Sequence, residues 1–64
     1  MDKQVLELII SKLETRGAEV KDFIGDGGCK SHEHYKELCG VIRGLRSAQV
    51  EIEDLARKLE LNDE

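Results

Sequence analysis

Four side chains of metal-binding and nucleophilic type, Cys29, His32, His34 and Cys39, fall within eleven consecutive positions, and Cys/His sets are the usual ligands of structural zinc. Ligation requires them to converge on one point. On a continuous helix His32 and Cys39 share a face but stand about 10 Å apart along the axis, while His34 and Cys39 diverge by roughly 140° around it. Neither pair suits a tetrahedral ion. Cys29 with His32 or His34 supplies at most two ligands, so a zinc site would have to be completed by a second chain, giving a zinc-dependent dimer. The alternative assignment makes Cys39 a small residue flanking a helix seam and the histidines polar residues of a first turn. A Cys29–Cys39 disulfide needs Cα atoms within about 7 Å, which the intervening loop and helix do not readily permit. Cysteine beside histidine is also an acyl-transfer pairing. No orienting group or oxyanion donor accompanies it, however, and a chain of 64 residues has little room for a ligand pocket of about 300 Å³. These residues therefore point to neither an enzyme nor a bound cofactor.

Two further stretches carry chemical interest. Gly25-Asp26-Gly27-Gly28-Cys29-Lys30-Ser31 places glycines before a Lys-Ser pair, but its spacing differs from that of nucleotide-binding loops and no strand precedes it. A hairpin turn explains the glycines, with or without an anion at the following helix N-terminus. Arg43 and Arg46 form the densest basic element and precede the acidic run Glu51-Ile52-Glu53-Asp54. Such segregation either docks partners of opposite charge or places complementary charges on exposed faces. A DNA-reading helix-turn-helix would need a shorter first helix, a tighter turn and a basic recognition surface.

The composition limits the elements that hold these residues. The sequence has 39% hydrophobic and 38% charged residues, one Phe, one Tyr, no Trp and no Pro, with a net charge of −4. That balance disfavours nonspecific attraction to nucleic acid or an anionic membrane. The longest apolar run, Leu8-Ile9-Ile10, is far short of the roughly 20 residues of a membrane span, and the first residues do not read as a leader. A soluble chain with reduced cysteines is expected. So small a domain buries only about 60% of its unfolded surface, which makes association with a copy of itself or with a larger protein a natural complement.

Helix is favoured throughout. Leu6, Ile10, Leu13, Val20 and Ile24 recur at helical spacing, widened by Ile9 and Phe23, with Gly17 on the same stripe and Asp2 as N-cap. This predicts a first helix over about 2–24 and a glycine-rich turn over 25–31. Ser31 then caps a second helix over about 32–60, with Glu33 in its first turn, followed by an acidic tail at 61–64. Tyr35, Leu38, Ile42, Leu45, Gln49, Ile52, Ala56 and Leu59 alternate steps of three and four, the heptad spacing of packed helices. Gln49 either fixes register or reaches solvent at the edge of the seam. Tyr35, Leu38, Ile42, Leu45 and Ile52 are the expected intramolecular contacts. Gly40, Gly44 and Ala48 run beside the seam at intervals of four, which reads either as close approach by another helix or as a kink. Folding at Gly27-Gly28 sets Gly17 roughly opposite Cys39 and Gly40. By length, the second helix overhangs the first. The expected fold is thus an all-α antiparallel two-helix hairpin. Val5, Leu8 and Ile9 in the first helix, with Val41, Val50, Leu55 and Leu61 in the second, fall off the seam and call for a second covered face through oligomerisation or docking.

The segments Gly28-Cys29-Lys30, His34-Tyr35-Lys36-Glu37-Leu38-Cys39-Gly40, Ile42-Arg43-Gly44-Leu45 and Glu51-Ile52-Glu53-Asp54-Leu55 resemble small, mostly uncharacterised proteins of tailed bacteriophages whose genes often lie near head-to-tail connector or portal genes. The resemblance spans about residues 25–57. The chain departs from it in carrying Ser31-His32 where an Asp-aromatic pair often follows the loop lysine, and its first helix has no distinctive counterpart. No catalytic residues are implied. What the resemblance implies is a phage origin and a virion component packed against portal, connector, neck or capsid, otherwise found in the host cytoplasm. Arg43, Arg46, Gly40, Gly44 and Ala48 are the candidate protein-interaction residues. The competing expectation is an early phage protein that binds and modulates a host enzyme.

Overall fold

The computed structural model of the chain describes residues 2–62, with side-chain environments for residues 2–60. It is an all-α antiparallel two-helix hairpin, made of α1 (Lys3–Gly25) and α2 (His32–Asn62). The rod measures 51 × 15 × 13 Å. Both helices run slightly beyond the ends expected from sequence. α2 continues through the first two residues assigned to an acidic tail; the rest of that tail, and the side chain of Leu61, lie outside the described residues.

Each terminus has an identifiable cause. Asp2 has extended backbone and its Oδ1 accepts from the N–H of Gln4 at 3.1 Å, satisfying one of the free donors at the start of α1. Ser31 does the same for α2, its Oγ accepting from the N–H of His34 at 3.0 Å. At the end of α1 the Gly27 N–H donates to the Ile24 carbonyl at 3.1 Å and the Gly28 N–H to the Phe23 carbonyl at 2.8 Å. This paired closure requires a left-handed residue after the cap, and Gly27 supplies it with φ of 81°. Only glycine occupies that region without cost, so Gly27→Ala should destabilise the hairpin by about 1–2 kcal/mol. Thermal denaturation followed by circular dichroism checks this: the expected result is a lower midpoint with helix content preserved below the transition.

The seam is packed at its two ends and open between them. At the end remote from the turn, Leu6 and Ala56 are the two buried apolar residues among the described ones, 2% and 8% exposed. The same end carries an ion pair between Lys3 Nζ and Glu60 Oε1 at 3.2 Å, which sets the end of α2 beside the start of α1. Both partners are well exposed, so the pair contributes at most about 1 kcal/mol. At the turn, the Phe23 ring packs edge-on against His34 with centroids 5.9 Å apart. The ring also covers Gly28 so closely that a Cβ there would lie 2.6 Å from it. Between these ends Leu38, Ile42, Leu45, Gln49, Ile52 and Leu59 face α1 half-buried.

Two sequence expectations need correction. Tyr35 does not join the seam; it is 44% exposed and its ring stacks on His32, with centroids 6.2 Å apart. His34, one residue earlier, takes the position against α1, because Phe23 is available there as an aromatic partner. Nor do the helix glycines mark a close approach within the hairpin. A Cβ built on Gly17, Gly40 or Gly44 meets nothing within 4 Å. A groove bounded by Ile42, Leu45 and Gln49 opens over Gly17 instead of a contact. α2 runs as one helix through Gly40 and Gly44.

Candidate functional site

The Cys/His residues sit at the turn and along the first turns of α2. His34 points toward the loop, where its Nδ1 accepts from the Lys30 N–H at 3.4 Å, a long bond that helps close the turn. His32 is engaged with Tyr35, and Cys29 and Cys39 are free, half-buried thiols. Among the described residues no group of three or more His, Cys, Asp or Glu side chains is gathered to hold a metal ion. One local interaction perturbs a titration. The phenol of Tyr35 is held above its ordinary value of 10.0, first by hydrogen bonding to Cys39 one turn on, then by the negative charge Cys39 develops on ionising; slight desolvation and Cys29 add to the effect. All four causes favour the neutral phenol. Replacing Cys39 by Ala should therefore let Tyr35 ionise at lower pH than in the parent, as followed by phenolate absorbance; an unchanged titration would show that Cys39 is not the cause.

The remaining surface divides into two faces. Residues 100° apart per step place Glu14, Ala18 and Lys21 of α1 on one side of the seam, together with Arg46 of α2. There a groove of about 330 Å³ opens over Gly17, bounded by Leu13, Ile42, Leu45 and Gln49. Gln49 is thereby at the edge of the seam, facing the groove. Arg46 lines this groove, and Arg43 stands exposed one turn earlier in α2. Among the described residues the ion pairs of the hairpin use neither arginine. Of the small residues singled out from sequence, Gly40 is half-buried while Gly44 and Ala48 are exposed. Their spacing of four makes this line drift around α2, so that Gly44 and Ala48 reach the opposite side from Arg46.

That opposite side carries apolar residues at its two ends, with charged ones between. By helical phase Val5, Leu8 and Phe23 of α1 lie there with Val41 and Leu55 of α2, five of the seven exposed large hydrophobic residues among the described residues. A second groove on this side is bounded by Arg16, Glu19, Val20, Phe23, His34 and Leu38, which fixes Phe23 and Arg16 to the same side as the start of α2. The other two exposed apolar residues, Tyr35 and Val50, project elsewhere. Sequence reasoning identified the off-seam apolar residues but did not sort them onto one side. The signal was present in the interval of seven that joins Val41, Ala48 and Leu55.

No helix among the described residues is long and apolar enough to cross a membrane. Neither protein-family models, curated proteins nor solved structures provide a match to this chain. The chain is a small all-α helical hairpin, with most of its exposed apolar residues on one side of the seam and Arg46 on the other.

Proposed function

We propose that this chain is a non-enzymatic structural or assembly protein of a tailed phage, docking on a larger portal, connector, neck or capsid protein through a helix face. The observation that carries the assembly reading is the imbalance, among the described residues, between two buried apolar residues and seven exposed large ones. A hairpin with so little core gains much of its stability from whatever covers it. The phage assignment draws on the resemblance of residues 25–57, including Tyr35-Lys36-Glu37-Leu38-Cys39-Gly40 and Ile42-Arg43-Gly44-Leu45. Arg43 and Arg46 are the proposed contacts to the larger protein, since guanidinium groups at an otherwise uncommitted face suit acidic or carbonyl-rich surfaces.

Charge reversal at both arginines tests this directly. Arg43→Glu with Arg46→Glu should leave the circular dichroism spectrum of the chain intact but reduce its incorporation into particles at least tenfold. Incorporation at the parental level would remove these arginines from the interface. Recovery of the chain on a host enzyme, together with its absence from particles, would favour the host-directed alternative.

A further inference from the structure

We infer that the side carrying Val5, Leu8, Phe23, Val41 and Leu55 is covered by a second copy of the same chain, forming a four-helix bundle in which α1 of each hairpin packs antiparallel on α2 of the other. The inference stands on the hairpin's surface and does not depend on the phage reading. Its first support is area. The hairpin exposes 5055 Å², whereas a compact monomer of 7.2 kDa would expose roughly 4,100 Å². That excess comes from the elongated 51 × 15 × 13 Å shape of the hairpin, which leaves a long side uncovered; an interface of ordinary size takes about 800 Å² from each partner.

The distribution of side chains selects the arrangement. Along the face, Val5 and Leu8 stand at the same end as Leu55, Phe23 stands at the turn end toward Val41, and the middle carries Lys12 and Arg16 on α1 opposite Gly44 and Ala48 on α2. A two-fold axis parallel to the helices stacks α1 of one copy on α2 of the other at the same height. Apolar residues then meet at both ends. In the middle, the long stems of Lys12 and Arg16 cross the small Gly44 and Ala48 of the partner, with the partner's Glu51 next to Lys12. The hairpin's own ion pairs among the described residues use neither Lys12 nor Glu51. Turning the axis across the helices would instead stack α1 on α1 and set Lys12 and Arg16 against their own copies. Like-charge contact of this kind disfavours that arrangement. Arg43 and Arg46 remain on the outside of the bundle, free to engage a different protein.

Sedimentation equilibrium of the full chain, over micromolar to millimolar concentrations, tests the inference. The expected species has twice the 7.2 kDa chain mass, and Leu55→Lys should weaken association by 30-fold or more, while Val50→Lys, which lies off this face, should leave it within twofold. Lys12→Glu should weaken association about tenfold, and adding Glu51→Lys in the same chain should restore it. That rescue keeps the test decisive even where Leu55→Lys unfolds the hairpin, because the double variant must both fold and associate. A monomer at all concentrations, a larger oligomer, or a dimer indifferent to Leu55→Lys would overturn the proposal. So would a dimer strengthened by Lys12→Glu, which would place α1 on α1.

Discussion

Truncating Leu6 to Ala is expected to remove most of the stability of the hairpin. Leu6 is the one large apolar side chain among the described residues that is buried, at 2% exposed, and Leu→Ala at such sites costs about 2–5 kcal/mol through lost burial and an unfilled cavity. Average stability per residue gives a chain of this length roughly 3–10 kcal/mol, and two buried residues place it toward the low end. The substitution also loosens the end held by the Lys3–Glu60 pair, whose exposed charges cannot compensate. Denaturation at fixed chain concentration should show a midpoint at least 10 °C lower, using the roughly 4–8 °C per kcal/mol of small domains. Val50→Ala is the control, because Val50 is 50% exposed and lies off both the seam and the face proposed to meet a second copy; its effect should be under about 1 kcal/mol. Equal losses at the two positions would contradict the packing described at the open end.

The second large effect has the opposite sign. Gly17→Ala combined with Gly40→Ala should stabilise the hairpin by about 1.5–2 kcal/mol, since each glycine inside a helix costs up to about 1 kcal/mol relative to alanine. Neither added methyl group meets an atom within 4 Å, and neither glycine has positive φ. The gain arises largely in the unfolded chain, whose freedom the methyl groups reduce. Denaturant titration should move the midpoint upward with an unchanged slope, the sign of altered stability without altered exposure. A loss of stability would restore the close helix approach that glycine spacing alone implies. Gly44 is set apart from this pair because it lies on the face proposed to meet a second chain, where its small size serves the partner's Lys12 and Arg16.

The secondary structure was legible for local reasons. Asp2 and Ser31 are short acceptors ahead of helical patterns, and the glycines from 25 to 28 stop α1 through a geometry that needs Gly27 in particular. Packing was less legible. Strict alternation of three and four selects Tyr35, but a straight α-helix drifts about 20° per heptad, so a regular pattern does not fix which residue faces the neighbour at the far end. The aromatic pairing of Phe23 with polar His34 decided it. Gly17 misled in a similar way: absence of a side chain permits close approach without compelling it, and a groove bounded by Ile42, Leu45 and Gln49 opens there. The candidate interaction residues occupy more than one side of α2, with Arg46 on the Gly17 groove and Gly44 and Ala48 toward Val41 and Leu55. This separation comes from helical phase combined with the antiparallel pairing, which a list of residues in sequence order does not reveal.

In the proposed reading the two sides are committed separately, one to a second copy and the other to a larger protein. The most direct measurement of the proposed assembly role is quantitative mass spectrometry of purified particles of the phage proposed as its source, relating the copy number of this chain to that of the portal and major capsid proteins. A fixed ratio to one of them, reproduced between preparations, is the predicted result. Absence from particles, alongside abundance in infected cells, would contradict it.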